Sequence, residues 1–193
     1  MKTRNIILSI SFLLLFPIIS KAQQKYEREY RIKSEIIPQS AKEFVDSIGS
    51  DSKIKWYKEI SFNDVTIEAK FKHHNKKFSV EFDTLGSLQD VEFIIDKREI
   101  TPIVYKQIEH KLDSLYQKWK FQKIQIHYRG HPRDITTSIN QNKRCESIKV
   151  YYEIVLKGKS SGSAQLYEIT FSEQGEIQDI LQIIQDKADH LEY

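Results

Sequence analysis

The sequence predicts an α+β protein: a tandem repeat of one helix plus a four-stranded antiparallel sheet, with the helices packed on one sheet face. Three observations carry this expectation. Phe78-Ser79-Val80-Glu81-Phe82, running through Gly86 to Ile95, is matched at one constant offset by Tyr167-Glu168-Ile169-Thr170-Phe171, running through Gly175 to Ile184, and self-similarity at a fixed spacing bears on architecture before any local pattern does. Apolar and polar residues alternate with period two along several segments, as in strands covered on one side only. Each block of strands also follows an amphipathic stretch opened by a proline, Pro38 in one case and Pro102 in the other.

The first 22 residues read as an address. Lys2 and Arg4 precede an apolar run from Ile6 to Ile19, and Ser20-Lys21-Ala22 supplies a small-x-small cleavage site, the pattern of a secretory signal peptide. An uncleaved anchor is the alternative. The run is shorter than the ~20 apolar residues a spanning helix needs, and Pro17 interrupts it. No later segment is apolar enough to span a bilayer, so the mature chain is expected in the periplasm or outside the cell. Removing Lys2, Arg4 and Lys21 from the 30 basic residues leaves as many as the 27 acidic ones. A neutral mature chain lacks the field of a nucleic-acid binder. Cys145 is the only cysteine, so no internal disulfide forms and stability rests on a packed core. The thiol is either partly buried and inert or free to pair with another chain.

Residues 23–34 are polar without a clean period and read as a flexible lead-in. Residues 35–97 form the first unit. Ala41, Phe44, Val45 and Ile48 give its helix an apolar stripe that Gly49 closes. Its strands centre on Trp56, on Val65–Phe71, on Phe78–Phe82 and on Val91–Ile95, with hairpin turns at residues 73–76 and 83–86. Residues 98–185 form the second unit. Thr101 caps a helix with Pro102 at its first position, and Val104, Ile108, Leu112, Leu115 and Trp119 make its stripe. Strands follow at Ile124–Tyr128, Ile148–Leu156, Tyr167–Phe171 and Ile180–Ile184, the last apolar on both faces and so in need of a second cover, from the chain or from a partner. A polar insertion spans 129–147, and residues 186–193 are a tail.

These features resemble the PepSY-like family of small secreted Bacteroidetes proteins, whose fold is similar to that of β-lactamase-inhibitor proteins. The resemblance rests on the Pro38 and Pro102 helices, the strand blocks Lys53–Trp56 and Lys123–Tyr128, and the turns Phe82-Asp83-Thr84-Leu85-Gly86 and Phe171-Ser172-Glu173-Gln174-Gly175. It implies a helix-backed antiparallel sheet whose open face binds a protein or peptide, and it brings no catalytic residues. The disulfides of the inhibitor proteins have no counterpart here, so β-lactamase binding does not carry over.

The polar sheet face is the first candidate binding surface. It displays Tyr57, Glu68, Lys70, Tyr151 and Glu153; the two tyrosines offer rigid amphipathic area. A merely solvated face with cross-strand ion pairs is the alternative. The insertion is the second candidate: Arg129, Arg133, Lys143 and Arg144 make it locally basic, suited to a small ligand, a peptide or an anionic glycan, unless it is simply disordered. His73-His74 and the pair His127 and His131 are discounted as metal ligands, because neither lies on a helix that would converge them. No His-Glu-x-x-His pair and no phosphate-cradling glycine loop is present. The expected protein is therefore a non-enzymatic envelope binding module, with a protein or peptide partner, no cofactor, no metal, no nucleic acid, and an oligomeric state left open.

Overall fold

The computed structural model describes residues 23–184. The signal segment at 1–22 and the tail at 186–193 lie outside the described residues. Within them, no helix is long and apolar enough to cross a membrane.

Helix α1 (Gln39–Ile48) follows Pro38, buries Ala41, Phe44, Val45 and Ile48, and stops at Gly49, whose φ of 85° only glycine adopts freely. Helix α2 (Pro102–Leu115) buries Ile108 and Leu112. Ten strands accompany them: β1 (Gln23–Lys25), β2 (Glu27–Ile32), β3 (Lys55–Ser61), β4 (Val65–His73), β5 (Lys76–Phe82), β6 (Leu88–Ile94), β7 (Lys118–Arg129), β8 (Lys149–Lys159), β9 (Gln165–Ser172) and β10 (Ile177–Ile183). Trp119, expected on the second helix, lies instead on β7 and donates its indole N–H to Asp113 at 2.8 Å.

The expected tandem of two helix-plus-four-strand units is not what the chain forms. All ten strands join in one sheet, in the order β1-β10-β9-β8-β7-β6-β5-β4-β3-β2. The junction of β6 with β7 is an ordinary antiparallel pairing, with Glu92 opposite His127 and Phe93 opposite Ile126. Residues 23–34 are not a flexible lead-in. They supply both ends of the sheet: β1 runs parallel to β10, and β2 runs antiparallel to β3. Tyr26 alone separates these two strands, so the sheet curls into a nearly closed barrel. Near-closure removes the open edges that a long sheet would otherwise present, and β1 covers the outer edge of the doubly apolar β10.

The insertion at 129–147 also differs from expectation. It holds helix α3 (Pro132–Gln141), capped by the His131 ring and ended by Asn142 in the left-handed region. It packs beside α1, where Asn140 donates to the Ser47 carbonyl at 2.9 Å.

The sheet's apolar face meets the helices. Phe82 and Phe171 are fully buried, and Phe44 of α1 meets Phe82 edge-on at 5.9 Å. Gly86 shows why one turn residue is fixed: at φ 87° an added Cβ would come within 2.4 Å of the Ser40 hydroxyl, and that hydroxyl donates to the Gly86 carbonyl at 3.0 Å. With one face packed on the helices, strand alternation turns every intervening residue onto the concave side.

A carboxylate-lined cavity as candidate functional site

The concave face closes around a cavity of about 570 Å³ to which all ten strands contribute. Register puts its side chains in line. Glu29 lies opposite Glu59, Glu68 opposite Glu81, and Glu81 opposite Asp90. On the far wall Gln125 lies opposite Glu153 and Glu168 opposite Leu181. Ten carboxylates line the cavity against four lysine and arginine side chains. Like charges set opposite one another on neighbouring strands are destabilising, so the wall needs counter-charge or protons.

Two lysines supply part of the counter-charge. Lys25 of β1 reaches Glu27 at 2.8 Å and Glu168 at 2.7 Å. Lys70 of β4 reaches Glu29 at 2.7 Å and Glu68 at 2.9 Å. Burial works against both ammonium groups, but the carboxylates together outweigh it, Glu168, Glu153 and Glu27 at Lys25 and Glu68 and Glu29 at Lys70, and both pKa values stay above the ordinary lysine range. Ser79 also donates to Glu68.

Protons supply the rest. Burial, and then Glu92, raises the Glu153 pKa to about 8. Burial, followed by Glu27 and Glu68, raises Glu59 to about 8. Burial followed by Asp90 brings both Glu81 and Glu92 to about 7, and burial followed by Glu153 brings Glu168 to about 7. The cavity therefore takes up protons near neutral pH.

His127 of β7 stands in the wall between β6 and β8, 5% exposed. Its Nε2 accepts from Arg129 Nε at 3.0 Å and lies 3.4 Å from Asp90 Oδ2. Its Nδ1 has no hydrogen-bond partner and lies 3.5 Å from Glu92 Oε1. The Tyr151 ring meets the imidazole at 5.7 Å. At the mouth, Phe62 is 61% exposed and packs on Tyr26 at 5.3 Å.

The sequence-predicted residues are divided by this geometry. Glu68, Lys70, Tyr151 and Glu153 all line the cavity. The face that carries them is concave and deeply buried, where an open sheet face was expected: Glu68 and Glu153 are 8% and 7% exposed. Tyr57 lies beneath Lys70, whose ammonium sits 5.1 Å from the ring centroid. The four basic residues of the insertion do not gather. Arg129 turns to His127 and the cavity rim, Arg144 pairs with Glu173, Arg133 opens α3, and Lys143 follows its end. Cys145 is half-buried against the core.

His127 and His131, considered together in the sequence and discounted as a ligand pair, stand on β7 and at the cap of α3, and His127 meets the carboxylates of β6. Only the sheet register could have shown that. Gly158-Lys159-Ser160-Ser161-Gly162 has the Gly-x-Ser-x-Gly spacing of a nucleophile elbow, a match that the expectation of a chain without catalytic motifs passed over. It lies at the hairpin from β8 to β9 rather than at a strand-to-helix turn, which is not the setting that exposes such a serine.

No family model matches the chain, and no curated protein matches it. Among solved structures, the chain is similar to a DUF2874 family protein from Bacteroides ovatus, at 14% identity and a TM-score of 0.52, over 81% of this chain and 94% of that one. It is also similar to a Bacteroides eggerthii protein described as "putative periplasmic", at 13% identity and a TM-score of 0.50, over 76% of this chain and 88% of that one. Neither description names a PepSY protein or a β-lactamase inhibitor, so that part of the resemblance finds no support here; the chain shares its fold with Bacteroides proteins.

Proposed function

We propose that the protein is a non-enzymatic binding module of the cell envelope, and that its concave sheet face receives a cationic segment of a protein or peptide partner. The observation that carries this reading is the charge of the cavity: ten carboxylates face four fixed cations. Ammonium or guanidinium groups entering it would replace protons on groups already poised near neutrality. The chain's own Lys25 and Lys70 illustrate the recognition, each held between two carboxylates. Phe62 and Tyr26 add an apolar lip for the rest of a ligand. The signal-like N-terminus supports an envelope address, and the likeness to a Bacteroides protein described as periplasmic agrees with it.

Fluorescence anisotropy with two labelled ten-residue peptides, one lysine-rich and one glutamate-rich, tests the reading. The lysine-rich peptide should bind, weaken as salt is raised, and lose about tenfold in affinity when Glu27 and Glu29 at the mouth are both changed to Gln. Equal binding of both peptides, or of neither, would overturn it.

A further inference from the structure

Seven of the ten carboxylates of the cavity fall into three groups, and two of the groups are closed by an ammonium of the chain itself: Lys25 between Glu27 and Glu168, and Lys70 between Glu29 and Glu68. The third group consists of Asp90 and Glu92 on β6, which flank His127, and Glu153 on β8, opposite Gln125. Among the described residues no lysine pairs with it. Lys123 and Lys25 act on Glu92 and Glu153 only through space, and the one fixed cation among the described residues in ion-pair contact is Arg129, whose Nη2 is 3.8 Å from Asp90 Oδ2 and whose side chain is 58% exposed.

Two buried polar atoms at this third group have no hydrogen-bond partner. One is His127 Nδ1. The other is Gln125 Oε1, on an amide that donates its N–H to Glu92. Unpaired polar atoms in a buried wall are uncommon. Ligand atoms of Asp90, Glu92 and His127 all lie within 4.8 Å of one another. His127 Nδ1 and Glu92 Oε1 are 3.5 Å apart. Two ligand atoms at bond lengths of about 2.1 Å in a tetrahedral site lie roughly 3.4 Å apart, so the spacing suits a shared ion.

We propose that His127 and Glu92, with Asp90 behind the imidazole, form a site for a divalent transition-metal ion such as Zn2+. The imidazole Nδ1 and a Glu92 oxygen are the first ligands, and Glu153 and the Gln125 oxygen stand next to them. Nε2 then carries the ring hydrogen and donates it to Asp90 Oδ2, 3.4 Å away. This is the carboxylate–histidine–metal arrangement that fixes tautomer and ring orientation. Arg129 gives up its bond to Nε2 and turns to the Asp90 carboxylate beside it; its exposed side chain is free to do so. The imidazole nitrogen as a ligand favours Zn2+ over Mg2+ and Ca2+, which prefer all-oxygen shells. The site requires no peptide in the cavity and stands apart from the function proposed above.

Titration calorimetry of the chelator-stripped chain with Zn2+ alone, and separately with Mg2+, tests it. One equivalent of Zn2+ should bind with no matching Mg2+ isotherm. His127→Gln should abolish or weaken binding by about a hundredfold, and Asp90→Asn by about tenfold to a hundredfold, while His73→Gln and His131→Gln should leave it unchanged. Side-chain nitrogen NMR of the unsubstituted chain gives a readout that does not depend on a variant folding: Zn2+ should shift the His127 Nδ1 resonance. Absence of a saturable Zn2+ isotherm, binding undiminished in His127→Gln, or Zn2+-induced shifts confined to the other histidines would each overturn the proposal.

Discussion

Glu59→Gln isolates the electrostatic load of the cavity at one position. Glu59 faces Glu29 across the β2–β3 pairing and has no ion pair among the described residues. Its pKa rises from 4.5 to about 8 through burial first, then through Glu27, Glu68 and Glu81. A carboxyl whose folded pKa is raised holds its proton more tightly in the folded state. Its contribution to stability is complete below the unfolded pKa and is lost as pH climbs through the folded one. The window therefore runs from about pH 4.5 to about pH 8. At about 1.4 kcal/mol per pH unit, the displacement sets a ceiling of about 5 kcal/mol. Glu59 retains some solvent access, and its acidic neighbours readjust their own protons as it ionises, which leaves about 1–3 kcal/mol. Glutamine preserves the shape and removes the charge. At pH 9 the variant should therefore be more stable by about 1–3 kcal/mol, or roughly 3–10 °C in Tm. At pH 5.5, one unit into the window, the difference should fall to about a third of that, roughly 0.3–1 kcal/mol. Urea and thermal unfolding with chelator present measure both. A variant less stable at pH 9, or an equal difference at both pH values, would refute the reasoning.

Two further outcomes follow from the same geometry. Lys25→Met leaves Glu168 buried without its ammonium and should cost about 2–4 kcal/mol at pH 8 in urea unfolding; the loss should shrink at pH 5.5, where Glu168, raised to about 7, takes up a proton. Phe171→Ala empties a fully buried position on the helix-packed face and should cost about 3–5 kcal/mol with no pH dependence, measured by the same urea titrations at both pH values.

Much of the local structure was legible in the sequence. Pro38 and Pro102 mark the starts of α1 and α2, and alternation around Ala69, Val80 and Ile154 gave the strands and set Glu68 and Glu153 on the face opposite the core. What failed was long-range. Residues 23–32 have no apolar period to announce strands, because β1 and β2 close the sheet with charged side chains facing the cavity. Their partners lie far along the chain: Lys25 pairs with Ile183. Without that closure, the polar face reads as open, and the duplication leaves undecided whether its two units join into one sheet. The insertion's helix was hidden by its polarity, since α3 buries little beyond Ile135 and Ser138. His127 could not be placed beside Asp90 and Glu92 until the β6–β7 register was known.

The central claim is that cations enter the concave face. A backbone amide NMR titration of the chain with the lysine-rich peptide tests it most directly. The account predicts saturable shifts on inward positions of several strands, at Glu27, Glu153 and Glu168 among them, with helices α1 to α3 little affected. Shifts confined to the helices, or none at any peptide concentration, would contradict it.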